Sequence, residues 1–156
     1  MGYYASNTAS HIVIKRENIL AALAAIKGMY ETDDEEMKAP SFAWVDEDTV
    51  QAAESLSNAL DEWRWDSTFT DDGDLVGVTF SGEKLGDDED LWFNLAPLVE
   101  HGGFIEMLGE DDSRWRWVFW RGEMRTEYPH IIWPYEQITP AMELAEVMGE
   151  ELAETA

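Results

Sequence analysis

The chain has 156 residues and a formal net charge of −24, from 34 acidic and 10 basic residues. Because binding to a phosphate backbone depends on lysine and arginine, this balance argues against nucleic acid and anionic membranes as partners. The absence of cysteine excludes disulfides, thiolate nucleophiles and cysteine-based metal sites. A hydrophobic fraction of 45% with eight tryptophans predicts a folded domain, and the lack of a signal peptide or long apolar span predicts a cytoplasmic protein.

The first sixty residues predict one strand and two helices. Residues 11–15 alternate as a short strand, and Asn18 fits the N-cap of a helix that approaches its end at Gly28. The acidic block 31–36 predicts a solvated loop, and the apolar run 42–45 predicts either a small strand or a loop that plugs the core. Asp46 or Asp48 can cap a second helix with apolar residues at positions 50, 53, 56 and 60.

The middle of the chain predicts a hairpin followed by a helix. Over residues 63–80, two alternating aromatic and apolar runs flank the acidic turn 71–74, which is typical of a β-hairpin. The acidic residues 87–90 predict the first turn of a helix, since carboxylates there complement the helix dipole. Pro97 lies within this helical pattern and predicts a kink or an early end.

The stretch 113–122 is the predicted centre of the fold. Its period-two pattern turns Trp115, Trp117 and Phe119 to one side and Arg114, Arg116, Val118 and Trp120 to the other, as in a half-buried strand. Residues 104–108 predict the strand before it, 123–128 the returning strand and 130–133 an edge strand between two prolines. Thr139 and Pro140 begin a predicted acidic C-terminal helix.

This order predicts an α+β domain in which helices pack on one face of an antiparallel, tryptophan-rich sheet. Its kernel is a ferredoxin-like βαββαβ unit, to which an extra helix and a C-terminal helix are added. A single domain is expected over 1–138, with an acidic insertion at 31–60 that contains a helix, followed by the acidic helix 139–156. The predicted scaffold of the sheet consists of Trp63, Trp65, Trp115, Trp117 and Phe119.

Several short motifs resemble a known family. The start MGYY, the segment LAPLVEHGGFI at 95–105, GED at 109–111, RWRWVF at 114–119 and HIIWP at 130–134 are similar to small proteins with a YubB-type ferredoxin-like domain. Such proteins occur in actinobacteria, their phages and mobile elements. The resemblance covers roughly residues 1–30 and 60–134 and rests on turns and core aromatics. It therefore implies a fold and an accessory role, and no catalytic residues.

No catalytic or metal motif is present in the sequence. The three histidines, His11, His101 and His130, have no nucleophile near them in sequence, and the acidic turns at 71–74 and 87–90 lack the ligand spacing of a calcium loop. Arginines alternate with tryptophans at 114–117, but in so acidic a chain they are expected to pair with carboxylates on adjacent strands. We therefore predict a protein that is not an enzyme and has no cofactor or bound metal.

The predicted function depends on the acidic residues. If they share a face, they would imitate the negative charge of DNA and bind and inhibit a basic, nucleic-acid-binding host protein. The predicted contact residues are Asp33, Asp34, Glu35, Glu36, Asp46, Glu47, Asp48, Asp87, Asp88, Glu89, Asp90, Asp111 and Asp112. The alternative is a structural or assembly protein that forms homo-oligomers beneath an acidic solubility coat, and binding of a small ligand in the aromatic core is a third hypothesis.

Overall fold

The structure, a computed structural model, describes residues 3–31 and 45–134. It is a mixed α+β fold with a curled, antiparallel five-stranded sheet, a separate hairpin and four helices in the described residues. The elements are β1 (Tyr3–His11), α1 (Ile19–Gly28), α2 (Glu47–Ala52), α3 (Leu56–Glu62), β2 (Trp65–Phe69), β3 (Leu75–Phe80), β4 (Lys84–Leu85), α4 (Asp88–Leu95), β5 (Phe104–Gly109), β6 (Arg114–Trp120) and β7 (Glu123–Glu127).

The five-stranded sheet has the order β4-β1-β5-β6-β7, and every neighbouring pair is antiparallel. The strand predicted at 11–15 was misplaced, because β1 ends at His11 and Ile14 forms only an isolated bridge to Leu75. Most of β1 is small and polar, so it has no apolar alternation for a sequence pattern to detect. Its register shifts between Asn7 and Ala9, where the Asn7 side-chain amide donates to the Glu106 carbonyl at 2.9 Å.

The predicted hairpin is confirmed in position, but it forms its own two-stranded sheet, β2–β3. Strand β3 lies beside β1, where the Ser10 hydroxyl donates to the Val78 carbonyl. Trp63 was wrongly placed on a strand, since it caps the C-terminal end of α3 and is buried there. A ferredoxin-like arrangement of these strands stays a prediction.

The alternation predicted for β6 is confirmed. Trp117 and Phe119 are buried and Trp115 is partly buried, while Arg114, Arg116 and Trp120 are exposed. Below them, Trp65 from the hairpin meets Trp92 from α4 edge to face, with ring centroids 5.2 Å apart. These aromatic rings form much of the core that α1, α3 and α4 share with one side of the sheet.

Two predicted elements are corrected in detail. The single helix expected after Asp46 is two helices, because Ala53 is extended with ψ 130° and Ser55 then caps α3 by accepting from the Asn58 amide. The helix α4 ends at Leu95 and a 3-10 turn, Ala96–Leu98, follows it, so the early end predicted from Pro97 is confirmed.

The edge strand predicted at 130–133 is wrong. Strand β7 ends at Glu127, and residues 128–134 are exposed and belong to no strand. The flanking prolines, at 129 and 134, have no N–H with which to extend a ladder. The acidic loop at 32–36, most of the apolar run at 42–45 and the C-terminal helix from 139 lie outside the described residues.

Candidate functional site

Three consecutive helices carry acidic charge without any basic residue. Glu47 and Asp48 lie in α2, Asp61 and Glu62 in α3, and Asp88, Glu89 and Asp90 in α4, whose sequences contain neither lysine nor arginine. Helix α1 contacts all three of them. These three helices therefore hold seven carboxylates and no base, and α1 adds one lysine, Lys27, to the helical side.

Carboxylates from two of these helices and from the N-cap of the third act electrostatically on one buried tyrosine. Burial first, and then the negative charges of Glu47, Glu62 and Asp87, raise the pKa of Tyr30 to about 12, while a hydrogen bond with the Trp63 side chain opposes the rise. The Asp46 amide donates to Glu62 Oε1 at 2.8 Å and ties the start of α2 to the end of α3. We call Asp46, Glu47, Glu62 and Asp87 the acidic cluster.

Asp88 does not belong to the predicted contact surface. Its side chain is 2% exposed, and it accepts one hydrogen bond from Trp65 Nε1 at 2.8 Å and one from the Gly86 amide at 2.9 Å. Burial raises the pKa of Asp88, while these two hydrogen bonds act in the opposite direction. Its role is to anchor the central tryptophan of the core, because a buried indole N–H needs an acceptor.

The other acidic residues of this turn have different roles. Glu89 accepts from the Thr126 hydroxyl at 2.8 Å and so links α4 to β7. Burial raises the pKa of both Asp87 and Asp90, and neighbouring carboxylates raise it further. The predicted block 87–90 therefore contributes Asp87 and the exposed Asp90 to the acidic side, uses Asp88 in the core and ties Glu89 to the sheet.

The predicted pair Asp111 and Asp112 lies at the β5–β6 turn. Asp111 accepts from the Tyr3 hydroxyl and from the Ser113 amide, and the Tyr3 hydrogen bond lowers the pKa of Asp111. Gly109 lets this tyrosine approach, since a Cβ at that position would overlap the Tyr3 hydroxyl. In the described residues no hydrogen bond or ion pair joins this turn to the acidic cluster, and the predicted Asp33, Asp34, Glu35 and Glu36 lie outside them.

Tyr30 and Glu62 belong to this site, yet the sequence did not single them out for it. The sequence pattern indicated Tyr30 only as the last apolar position of a helix, and Glu62 was one of 34 acidic residues. Only the convergence of α2, α3 and the start of α4 distinguishes them. No pattern in the chain indicates which acids will meet.

The solvent side of the sheet differs in charge from the helical side. The even-numbered residues of β5 and β6 and the odd-numbered residues of β7 point away from the helices. We call this surface the open face. Its charged residues are three arginines and three glutamates, namely Arg114, Arg116, Arg125, Glu106, Glu123 and Glu127, so it is balanced in a chain of net charge −24.

Cross-strand ion pairs organise the open face, as the sequence predicted. Arg116 Nε lies 2.9 Å from Glu106 Oε1, and Arg114 Nη1 lies 3.7 Å from Glu106 Oε2. The hydrogen bond from the Thr8 hydroxyl and the one from Arg116 lower the pKa of Glu106. The Arg116 guanidinium also lies 4.8 Å above the Phe104 ring centroid, a cation–π distance.

A cavity and an exposed tryptophan lie on the open face at the two ends of β6. A cavity of about 210 Å³ lies at one end of β6, lined by Glu106, Arg114, Trp115, Arg116, Glu127, Tyr128 and Pro129. At the other end, Trp120 is 50% exposed, and its ring packs on His101 with centroids 4.0 Å apart. His101 Nδ1 accepts from the Arg121 amide at 3.2 Å, which holds this ring pair in place.

In residues 3–31 and 45–134 no group of three or more histidine, cysteine or carboxylate side chains is placed to hold a metal ion. None of the helices in these ranges is both long and apolar enough to cross a membrane. No family model matches the chain, and neither the curated proteins nor the solved structures contain a match.

Proposed function

We propose that this protein is a non-enzymatic, acidic accessory protein that binds a basic protein through its helical side and inhibits it. The partner is a protein whose own ligand is nucleic acid, and the carboxylates occupy the place of phosphates. The same proposal includes the YubB-type resemblance, an origin in a phage or mobile element, a ferredoxin-like kernel and a cytoplasmic location.

One observation carries it, namely that the helices are acidic while the open face is balanced. Helices α2, α3 and α4 hold seven acids, of which only Asp88 is buried, and no base, whereas β5 to β7 hold three of each sign. A uniform solubility coat would not leave one face balanced. A concentrated patch, in contrast, produces a local field that steers a basic surface towards it and sets its orientation.

The position of the acidic cluster favours a pre-organised contact surface. The Asp46 amide bond to Glu62 fixes two of the helices relative to each other. Burial, and after it the charges of Asp90 and Asp88, raise the pKa of Asp87, so its negative charge has no compensating cation nearby in the free protein. A guanidinium or ammonium group from a partner would supply one, because an opposite charge favours the ionised carboxylate.

The test uses purified basic DNA-binding domains, each loaded with a fluorescent DNA duplex. We expect the protein to displace the duplex from at least one domain, with an affinity that falls steeply as salt is raised. The variant Glu47→Gln with Glu62→Gln should weaken binding about tenfold, because two contact charges are lost at roughly 0.7 kcal/mol each.

A matched control removes the same charge elsewhere. The variant Asp71→Asn with Asp72→Asn neutralises two exposed carboxylates in the β2–β3 turn and should change the affinity by less than about twofold. An equal loss in both double variants would show a nonspecific charge effect and no defined surface. The absence of salt-sensitive binding to every domain would refute the proposal.

A further inference from the structure

We propose that the open face is the interface of a homodimer, in which Trp120 of each copy enters the cavity beside Arg114 and Tyr128 of the other. The observations that carry this inference are the balanced charge of that face, the exposed tryptophan at one end of β6 and the cavity at the other. It is independent of the acidic cluster.

Charge identifies a second copy as the occupant. Two chains of −24 repel each other wherever their acidic surfaces meet, and the open face is where the described residues offer equal numbers of arginine and glutamate. An isologous interface requires each patch to complement itself. A surface with three charges of each sign, in which both signs occur on neighbouring strands, can place arginine against glutamate in both directions.

The geometry of β6 makes the contact reciprocal. Arg114 and Trp120 point to the same side of the strand and lie at its two ends. When two open faces meet with their β6 strands antiparallel, Trp120 of each copy lies over the Arg114 end of the other. The same rotation places both tryptophans and both cavities in register.

The cavity suits an indole in size and chemistry. Its volume is about 210 Å³, and cavities of roughly 150 Å³ in other proteins bind benzene. Tyr128 and Pro129 supply apolar walls, and the guanidinium groups of Arg114 and Arg116 supply cations for the ring face. The packing of Trp120 on His101 reduces the entropy lost when this side chain is buried.

Sedimentation velocity of the intact protein, from micromolar to hundred-micromolar concentration, tests the proposal. We expect a monomer–dimer equilibrium that salt strengthens, because screening weakens the repulsion between the acidic copies. The variant Trp120→Ala should weaken dimerisation at least about tenfold, as expected for a tryptophan anchor. The control Phe93→Ala removes an aromatic side chain that is 62% exposed on α4 and should leave the dimer unchanged.

Mixing two variants gives a sharper result. Trp120→Ala lacks the anchor and Tyr128→Ala lacks one wall of the cavity, so each should dimerise poorly alone. Their equimolar mixture retains one intact anchor in one intact cavity, and the heterodimer should be tighter than either homodimer. If the mixture dimerises with no higher affinity than either variant alone, the reciprocal arrangement is overturned.

One further outcome would overturn the proposal, namely a parent protein that remains monomeric at the highest concentration and in high salt. In that case, the acrylamide quenching lost in Trp120→Phe would report whether the Trp120 side chain is exposed to solvent in the monomer. Because salt should weaken binding of a basic protein and strengthen the dimer, failure of one proposal can be distinguished from failure of the other.

Discussion

Removing the Asp88 carboxylate should destabilise the fold more than removing any neighbouring acid. The side chain is 2% exposed, and its two oxygens satisfy Trp65 Nε1 at 2.8 Å and the Gly86 amide at 2.9 Å. In the variant Asp88→Ala both donors lose their acceptor. Trp65 is itself fully buried, so water cannot replace the carboxylate without opening the core.

The magnitude follows from two opposing effects. Each hydrogen bond to a charged acceptor contributes about 1.5–3 kcal/mol, and a buried donor left without an acceptor is costly. Against this, the substitution removes a desolvated carboxylate, whose raised pKa records the energy of burying its charge. We expect Asp88→Ala to lower the free energy of unfolding by about 3 kcal/mol. Asp88→Asn should lower it by about half as much, since the two donors use different carboxylate oxygens and asparagine replaces one of these oxygens by an NH2 group that cannot accept.

Urea denaturation followed by far-ultraviolet circular dichroism measures the effect without relying on tryptophan fluorescence, which the substitution itself perturbs. The control is Asp90→Ala, an exposed residue of the same helical turn, which should cost less than about 1 kcal/mol through the helix dipole. If Asp88→Ala lies within about 0.5 kcal/mol of the parent, the anchoring role of this carboxylate is wrong.

Three smaller predictions concern stability. Gly109→Ala should push the Tyr3 ring from its position, break its hydrogen bond to Asp111 and lower the free energy of unfolding by about 1 kcal/mol, measurable by urea denaturation. Ser55→Ala removes the acceptor for the Asn58 amide at the start of α3 and should also cost about 1 kcal/mol, with a lower thermal midpoint as the readout. Asp87, Asp88 and Asp90 have raised pKa values and bind protons more readily in the folded state, so thermal melts should show stability rising as pH falls from neutral towards their unfolded value of 3.8. A melting temperature that falls steadily over this range would contradict the last prediction.

The sequence predicted the elements whose pattern is local. Period-two alternation identified β6 together with its inward and outward faces, and the acidic turn identified the hairpin that precedes α4. Pro97 gave the early end of α4 because a proline restricts its own backbone and the residue before it. Pairing of the β6 arginines with a carboxylate on an adjacent strand was also predicted, and the structure identifies that carboxylate as Glu106.

Features set by distant contacts could not be predicted. Strand β1 consists mostly of small and polar residues, and its place inside the sheet depends on ladders with β4 and β5. Asp88 looked like its three acidic neighbours, although it alone lies beneath the indole of Trp65. Likewise, nothing along the chain indicated that the charges of Glu47, Glu62 and Asp87 would all act on Tyr30. Such assignments require the tertiary fold, because burial and not residue type separates a core acid from a surface acid.

The two proposed surfaces are coupled through charge. Each copy carries −24, and that repulsion opposes association through the open face at low salt. A basic partner on the helical side would neutralise part of the charge and leave the open face uncovered, so it should favour the dimer. By linkage, the dimer must then bind the basic partner more tightly than the monomer does, by the same factor. Adding a basic partner at low salt should therefore produce a sedimenting complex of two copies and two partners. The Trp120→Ala variant should form only a complex of one copy and one partner.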